Sequence, residues 1–363
     1  MNKEEIDSIR NKIRAVDEKI LALVAERLKE AEAIGRLKRD NSAPLRDYTV
    51  EAQVLEHAED VCSRLGVDRQ IGRDVAKILI NAAVSVQSYS DIRVYRGTSK
   101  KIFIVGGNGK MGRWFSSFFN IQGHDVSVND VTGDSPYRSE GIEEGAANAD
   151  VVLLSTPISV TPSLLSRVMS TGTQALVLDS CSLKSPIVSL LRRGAAEGMK
   201  VASIHPMFGP GARTLADQHL IVCDCGSAAA ADEATSLFSD TCLSISRLEV
   251  ESHDELMGYL LGMTHAANIM LFNALAYGGR NYAELSRFAS TTFTKQMQTT
   301  FDVAVENPSL YYEIQNLNSH RERVFSLLEK SLADLRRASF SADSSDFILL
   351  MQRGREFFRG YGQ

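Results

Sequence analysis

The sequence predicts a multidomain α and α/β protein: an all-helical segment, a doubly wound parallel α/β domain and a second all-helical segment. Three observations support this prediction. Residues 3–40 carry apolar side chains at helical spacing, residues 101–224 alternate short apolar runs with helical stretches, and the pattern is helical again from about residue 251. We place the boundaries at 1–92, 99–250 and 251–363, with a polar linker over 92–100.

The composition of the 363 residues is that of a globular protein, with 44% hydrophobic and 23% charged residues. A net charge of −5 gives no electrostatic reason to expect nucleic acid as a partner. The sequence contains no apolar run as long as a membrane span, and it starts with charged residues instead of a signal peptide. We therefore expect a cytoplasmic protein that binds neither nucleic acid nor membrane.

The five cysteines form no CxxC pair. Cys223 and Cys225 share one face of a predicted strand, but a lone CxC spacing is a weak indication of a metal site. We expect reduced, structural thiols and no metal ion.

The first helix has an apolar stripe with steps of three and four residues, formed by Ile6, Ile9, Ile13, Val16, Ile20 and Leu23. At about 1.5 Å per residue this helix would exceed about 50 Å, which is longer than a small domain needs unless it pairs with another chain. Two further helices are predicted at 47–65 and 68–91. One interpretation is that this segment serves only to dimerise the protein.

A cation interrupts the stripe. Steps of seven from Ile13 through Ile20 arrive at Arg27, and Lys38 lies three turns further along the same face. Because an unpaired buried charge is costly, two cations on an inward face indicate an anion between them. That anion is either a ligand or an acidic side chain of the same bundle, such as Asp47 or Glu51.

The segment KIFIVGGNGKMG predicts a strand over 101–105, a glycine-rich turn and a helix that starts near Lys110. A second strand, HDVSVND, ends in Asp130, at the distance typical of a dinucleotide-binding βαβ unit. Asp130 would accept from the ribose 2′-hydroxyl, and no arginine immediately follows it to hold a 2′-phosphate, which favours NAD over NADP. The predicted contacts of the turn are Gly107, Asn108, Gly109, Lys110, Met111 and Gly112.

Further strands are predicted over 149–157, 173–182, 200–206 and 218–224, as parts of one parallel sheet. Ligands of such sheets bind at the carboxyl ends of the strands. Polar residues follow three of these strands, namely Thr156 with Pro157, Ser182 with Lys184, and His205 in SIHPMFGPG. Prolines make the loop after His205 stiff, so we expect a fixed histidine in a candidate site. The alternative is a loop histidine with a structural role.

The last segment is predicted to be helical, with helices near 281–305, 309–338 and 344–359 after a first one that contains His253 and His265. On one helix these two histidines would lie about 18 Å apart, which is too far for a shared metal ion. We expect this segment to pair with a second copy of the chain.

Several motifs together resemble known families. The segment IRNKIRAVDEKILALVAER, with IGRLK and PLRDYTVEAQ after it, resembles the helical chorismate mutases. GGNGKMG, LLSTPISVT, LDSCSLK, HPMFGP, SHDELM and SRFAS together resemble the prephenate dehydrogenases. Their order over essentially the whole chain resembles the bifunctional chorismate mutase/prephenate dehydrogenase family of tyrosine biosynthesis. This resemblance implies a cytoplasmic homodimer that uses NAD and acts on chorismate and prephenate.

For the mutase, the resemblance implies a site lined by Arg27, Lys38, Asp47, Glu51 and Gln87, with Arg10 supplied by the partner chain. The spacing agrees with this, because Arg10 lies about 100° around the helix from Arg27. Val50 and Ala83 occupy positions where related mutases often have arginine and serine, which implies fewer substrate contacts.

For the dehydrogenase, the resemblance implies that His205 takes the proton of the substrate hydroxyl. Ser182 would hydrogen-bond that hydroxyl or His205, and Arg287 in SRFAS would hold the substrate carboxylate. Some bifunctional relatives have this arginine later in the chain, at a position that is Asp302 here. His265 and Lys184 are expected as further substrate contacts.

Two other hypotheses compete with a bifunctional enzyme. One is a monofunctional prephenate or arogenate dehydrogenase whose helical N-terminus only dimerises, and the interrupted stripe counts against it. The other is a regulatory nucleotide-binding module without chemistry, which does not account for His205 near Ser182. The residues alone do not separate prephenate from its transaminated relative arogenate.

Overall fold

A computed structural model describes residues 3–40, 47–91, 95, 97–212, 215 and 218–360. The chain divides into two compact units. The sheet unit comprises Met1–Thr156, Ser163–Ser180 and Leu191–Leu248, and the helical unit comprises Pro157–Pro162, Cys181–Leu190 and Glu249–Gln363. The three-domain division at 1–92, 99–250 and 251–363 stays a prediction.

The predicted N-terminal helices are confirmed as α1 (Lys3–Asp40), α2 (Tyr48–Arg64) and α3 (Arg69–Asp91). The start of α2 is fixed by Asp47, whose carboxylate accepts hydrogen bonds from the amides of Thr49 and Val50. Both α1 and α2 pack along α3. Residues 92–94 and 96 of the predicted linker lie outside the described residues.

The sheet has eight strands in the order β3-β2-β1-β4-β5-β6-β7-β8. The order reverses at β1, as in doubly wound sheets, with parallel pairing from β3 to β6. The central strands are buried on both faces, which explains their continuous apolar sequences. The strands are β1 (Lys101–Val105), β2 (Asp125–Asn129), β3 (Arg138–Ser139), β4 (Val151–Leu154), β5 (Leu176–Asp179), β6 (Val201–Pro206), β7 (His219–Asp224) and β8 (Ser244–Glu249).

The expectation of an all-parallel sheet is wrong for β7, which pairs with β6 in the antiparallel sense. A parallel neighbour needs a long crossover, usually a helix, whereas the connection over 207–218 is a loop at every described position. The edge strand β8 was not predicted, because its sequence SISRLE is mostly exposed and lacks a buried apolar run.

Helices cover the sheet between its strands. They are α4 (Lys110–Ile121), α5 (Ile142–Asn148), α6 (Thr161–Ser170), α7 (Val188–Ala196) and α8 (Ala228–Ser236). The core of the sheet unit joins the strand side chains to an aromatic cluster in which Phe118 of α4 stacks on Trp114 at 5.1 Å and on Phe238 at 5.4 Å. Helix α4 is therefore firmly packed where it follows the glycine-rich turn.

The helical unit begins with α9 (Val250–Met257), a π-helical segment (Gly258–Met263) and α10 (Thr264–Tyr277). His253 and His265 were expected on one continuous α-helix. The π-helical segment changes the helical phase between them, so the shared face derived from α-helical geometry does not apply.

Two helices predicted near 281–305 and 309–338 are each split. The first consists of α11 (Tyr282–Leu285), a short 3₁₀ turn (Ser286–Phe288) and α12 (Thr291–Val305), and the second of α13 (Pro308–Leu317) and α14 (Arg321–Ser339). Ser290 caps α12, and the Asn318 side chain bonds main-chain groups of Asp254 and His320, so the backbone turns at both positions. The last helix is α15 (Ser345–Phe357).

His124 lies buried beside the first strand of the sheet. Its Nδ1 accepts a hydrogen bond from the Lys100 amide at 3.0 Å, and its ring contacts those of Tyr95 and Phe119. Burial, with a smaller effect of the Lys100 charge, lowers the pKa of His124 below the ordinary 6.5.

This lowered pKa predicts acid sensitivity of the sheet unit. Below pH 6.5 the histidine of the unfolded chain takes up a proton that folded His124 does not. The free energy of unfolding therefore decreases as the pH is lowered, until the lowered pKa of folded His124 is reached. One such group changes the free energy of unfolding by at most about 1.4 kcal/mol per pH unit. Urea unfolding, followed by the fluorescence of the single tryptophan Trp114, should show a shallower pH dependence in His124→Asn.

The matched control is His57→Asn, because the His57 side chain is exposed on α2. This control should keep the wild-type dependence. Equal dependence in wild type and His124→Asn would contradict the assignment of the acid sensitivity to His124.

Candidate active sites

The predicted inward cation of the N-terminal segment crosses from α1 to α3. The Arg27 side chain is half-buried, and its Nη1 donates to the Leu79 carbonyl at 2.9 Å. Gln87 crosses in the opposite sense, from α3 to α1, where its Nε2 donates to the Ala31 carbonyl at 3.0 Å. Gln87 is 7% exposed. The contact between α1 and α3 is therefore built around two of the predicted site residues.

A glycine makes room for Gln87. A Cβ at Gly35 would lie 2.8 Å from Gln87 Cγ and 3.2 Å from its Cβ, which is too close for an unchanged packing. Gly35 interrupts an otherwise continuous helical sequence, and only this interruption marked the position as unusual. No local sequence pattern links Gly35 to its partner Gln87, which lies on α3.

The remaining mutase residues lie in the same segment. Lys38 near the end of α1 and Glu51 in the first turn of α2 are both half-buried, whereas Asp47 is exposed and caps α2. Arg10 lies on the surface of α1 and pairs with Asp7 at 3.2 Å. The apolar stripe beside Arg10 is also on the surface, since Ile9, Ile13, Val16, Ile20 and Leu23 are each more than half exposed.

The glycine-rich turn has the close contacts that its sequence predicts. Gly106 has a φ of +84°, and its amide donates to the Asn129 carbonyl at 2.7 Å. A Cβ at Gly107 would lie 2.6 Å from the Val128 side chain, and one at Gly112 would lie 2.0 Å from the Gly106 oxygen. Helix α4 starts at Lys110 as predicted, so its first amides, including that of Met111, face the turn.

Asp130 follows β2 and contacts this turn, as expected of the ribose acceptor. Its Oδ2 accepts from the Asn108 amide at 2.8 Å, and its Oδ1 accepts from the Thr132 amide at 3.1 Å. The Arg113 Nε of α4 donates to the Asn108 carbonyl at 2.9 Å. Arg113 was missed as a residue of the glycine-rich turn, because only arginines that follow Asp130 were considered as cofactor contacts. It stands directly after Gly112.

Thr156, at the end of the segment after β4, also lies at the turn. A Cβ at Gly106 would lie 2.8 Å from Thr156 Cγ2 and 2.3 Å from the Ser155 oxygen. The turn, the N-terminus of α4, Asp130 and Thr156 therefore form a cradle in which bulkier residues would block the backbone. This cradle fits a dinucleotide whose phosphates lie at the helix N-terminus.

His205 lies in β6, one residue before the end of the strand, and is 4% exposed. Its backbone pairs with Ile221 of β7. The loop that follows is anchored as well, since the Met207 amide donates to the His219 carbonyl at 2.9 Å and the Phe208 ring contacts Trp114 edge-on at 5.1 Å. The expected stiff backbone around the histidine is confirmed.

Pro157, Ser182 and Lys184 belong to the helical unit. After Pro157, the Glu313 carboxylate of α13 accepts from the amides of Ile158 at 3.0 Å and Ser159 at 3.3 Å. Ser182 is half-buried. The Lys184 side chain is fully buried, and its Nζ donates to the Cys181 carbonyl at 2.7 Å. The structure thus places the predicted strand-end residues in two different units.

The two other dehydrogenase residues lie elsewhere in the helical unit. Arg287 is exposed in the 3₁₀ turn before α12. His265 stacks on Tyr311 with 4.2 Å between ring centroids, and burial lowers its pKa although the Glu306 charge acts in the opposite direction. His265 is therefore a polar group in a mainly apolar setting.

Other kinds of site find no support in the described part of the chain. It contains no cluster of three or more histidine, cysteine or acidic side chains that could hold a metal ion. The five cysteines form no disulfide bond in the structure. Within the same residues, every helix is too short or too polar to span a bilayer.

Three family models match consecutive parts of the chain. Residues 9–88 match the model of chorismate mutase type II. Residues 132–232 match that of the nucleotide-binding domain of prephenate dehydrogenase, and residues 249–353 match that of its dimerization domain. The order of the matches is the order of motifs along the sequence.

Relatives of similar length cover the same parts. The chain is 25% identical to a T-protein of Enterobacter agglomerans over 85% of this chain and 81% of that one. It is 23% identical to a T-protein of Haemophilus influenzae over 99% of this chain and 94% of that one. The fold is similar to that of a prephenate dehydrogenase from A. aeolicus, which was solved with hydroxyphenyl propionate and NAD+. The TM-score is 0.57 and the identity is 17%, and the match covers 72% of this chain and 99% of that one. The chain therefore carries a chorismate mutase domain followed by the two domains of a prephenate dehydrogenase, as the resemblance to the bifunctional chorismate mutase/prephenate dehydrogenases of tyrosine biosynthesis predicts.

Proposed function

We propose that this chain rearranges chorismate to prephenate with its N-terminal helices and oxidatively decarboxylates prephenate to 4-hydroxyphenylpyruvate with its remaining parts. The observation that carries the bifunctional proposal is the pair of crossings between α1 and α3, by Arg27 and Gln87. A segment that only dimerises would bury apolar side chains at these positions. Here a cation and an amide are placed there, with donors that suit an anionic ligand.

The mutase reaction is pericyclic and needs no nucleophile or metal ion. The protein must hold a dianion in its compact conformer and stabilise the charge that develops on the ether oxygen. Arg27 uses one of its five N–H groups for Leu79, so the others serve a substrate carboxylate. Gln87 uses one N–H for Ala31 and keeps a second for the ether oxygen, together with Lys38.

Acidic side chains complete this proposed site. One oxygen of Asp47 caps α2, which fixes the direction of the carboxylate. The other oxygen of Asp47, or the carboxylate of Glu51, would accept from the ring hydroxyl of the substrate. Both acids lie at the start of α2, so the same short segment offers either contact.

A homodimer accounts for the exposed stripe of α1. Ile9, Ile13 and Val16 lie on the surface of the isolated chain, and burying them against a second copy would be favourable by the hydrophobic effect. Arg10 lies beside this stripe. We therefore assign Arg10 to the mutase site of the partner chain, where it clamps the second carboxylate of the substrate.

In the dehydrogenase reaction, a hydride leaves the carbon that bears the hydroxyl, and the ring carboxylate leaves as CO2 while the ring becomes aromatic. NAD, held by the glycine-rich turn, Asp130 and Thr156, supplies the hydride acceptor when bound. His205 takes the hydroxyl proton, because a neutral histidine is a suitable base near neutral pH and its backbone is fixed in β6.

The helical unit supplies the substrate contacts in this proposal. Ser182 donates to or accepts from the substrate hydroxyl, Arg287 binds a carboxylate, and Lys184 places a buried positive charge in the same short loop as Ser182. His265 is a polar contact held by its stacking on Tyr311. We assign these roles because the residues lie in, or close to, motifs that resemble those of the prephenate dehydrogenases.

The role of Lys38 is tested by Lys38→Ala. Loss of one donor to developing charge should lower the kcat of the mutase by about a hundredfold to a thousandfold. NADH formation from added prephenate should stay the same, because the dehydrogenase residues lie elsewhere in the chain. Lys29, one of the exposed lysines on the same helix, provides the control, and Lys29→Ala should leave both rates unchanged. Equal loss of both activities in Lys38→Ala would contradict the separation of the sites.

The role of His205 is tested by His205→Asn, which keeps a polar group but cannot take up a proton at neutral pH. With saturating prephenate, turnover should fall by about a hundredfold to ten-thousandfold, and the acid limb of the pH–rate profile should vanish. The mutase rate should not change.

The matched control for this change is His219→Asn, at the exposed start of β7. It should keep both the turnover and the acid limb of the wild type. If His205→Asn also keeps them, His205 is a structural residue and another group is the base.

A further inference from the structure

The lysine loop, Cys181–Ser185, is held by one carboxylate of the helical unit. The Lys184 amide donates to Asp254 Oδ1 at 2.8 Å, and the Ser185 amide donates to Oδ2 at 2.6 Å. The Ser185 hydroxyl also donates to Oδ2. Both oxygens of Asp254 are thus used by two consecutive residues, which fixes the path of the loop backbone.

Asp254 is itself fixed from several directions. It is 3% exposed, and His253 Nδ1 donates to its Oδ1 at 2.7 Å. Asn318 Nδ2 donates to its main-chain carbonyl at 3.0 Å, and the Ser319 amide donates to the Ser185 hydroxyl at 3.2 Å. Helix α9, the lysine loop and the turn between α13 and α14 are therefore joined through Asp254 and Ser185.

The charge of Asp254 is retained in this buried place. Burial by itself would raise the pKa of the carboxyl, but the hydrogen bonds from His253 and Ser185 and from the Lys184 amide outweigh burial and lower it. A buried carboxylate that is satisfied in this way is a rigid support, because moving any one donor leaves a buried charge without its partner.

We propose that Asp254 is a positioning residue for the dehydrogenase reaction. By fixing the backbone of Lys184 and Ser185, it sets the direction in which the Ser182 hydroxyl and the Lys184 side chain leave the loop. The fully buried Lys184 side chain, whose Nζ donates to the Cys181 carbonyl, depends on the same loop path. This proposal rests on the proposed function of Ser182 and Lys184 as substrate contacts.

The test is Asp254→Asn, which keeps the shape but offers one acceptor oxygen instead of two and no charge. Loosening such a support typically costs about tenfold to a hundredfold, so kcat/KM for prephenate should fall by that factor. The KM for NAD and the mutase rate should stay the same, because the hydrogen bonds of Asp254 described above join it to Lys184, Ser185 and His253, which belong to the helical unit.

Asp224→Asn is the matched control. Asp224 Oδ1 accepts from the amides of Gly226 at 2.8 Å and Ser227 at 3.0 Å, so this change removes the charge of another loop-supporting carboxylate, in the loop between β7 and α8. This control should keep kcat/KM for prephenate. A loss in Asp224→Asn equal to that in Asp254→Asn would mean that the effect is a general one on stability, and would overturn the proposal.

A double-variant comparison asks whether Asp254 acts through the loop. In Ser182→Ala the contribution of the hydroxyl is already absent, so adding Asp254→Asn should cost at least about threefold less than it does in wild type. Full additivity of the two effects would overturn the positioning role. A purely structural residue would lower all activities together in both backgrounds.

If Asp254→Asn does not fold, Ser185→Ala decides, since it removes one hydroxyl and keeps the carboxylate. A fall of about threefold or more in kcat/KM for prephenate supports the proposal, and an unchanged value overturns it. The activity of the wild type distinguishes failure of the proposed function from failure of the positioning role. If wild type does not oxidise prephenate, the proposed function fails; if it does and Asp254→Asn matches it, the positioning role fails.

Discussion

The pairing of the central parallel strands is the constraint on which both units depend. Four residues of β1 pair with β4, and the same strand β4 pairs with β5. These pairings bring the carboxyl ends of the strands to one edge of the sheet. The glycine-rich turn follows β1 at that edge, and the segments that follow β4 and β5 contribute Pro157–Pro162 and Cys181–Leu190 to the helical unit. The strands therefore set where the glycine-rich turn and the segments with Pro157 and Ser182 begin.

Main-chain groups hold several of the charged side chains that we assign to substrates. Arg27 donates to the Leu79 carbonyl and Lys184 to the Cys181 carbonyl. The Leu79 carbonyl directs the Arg27 guanidinium without neutralising it, because a carbonyl carries no net charge. Both substrates carry two carboxylates, so cations held in this way suit their recognition. In contrast, the Asp254 carboxylate accepts hydrogen bonds from main-chain amides, so its charge supports the loop backbone and is not assigned to a substrate.

Much of this fold could be predicted from the sequence, because its periodicities are strong. The long α1, the glycine-rich turn with Asp130 and the buried strands follow from spacing and composition. The buried apolar run of β7 does not predict its direction, since such a run is the same either way; only the connection after β6, which is a loop at every described position, indicates the antiparallel pairing. The breaks near Ser290 and Asn318 depend on side chains that cap or bond distant backbone. Gly35 with Gln87, and Asp254 with Lys184, are contacts between positions far apart in sequence, and no local pattern encodes them.

The central claim is that one chain carries out two successive reactions. It is tested most directly by giving the purified protein chorismate and NAD and following chorismate, NADH and 4-hydroxyphenylpyruvate together. We expect chorismate to be consumed first, and NADH and 4-hydroxyphenylpyruvate to appear after a lag in equal amounts. If added prephenate is oxidised while chorismate remains untouched, the N-terminal helices are not a mutase and the central claim is wrong.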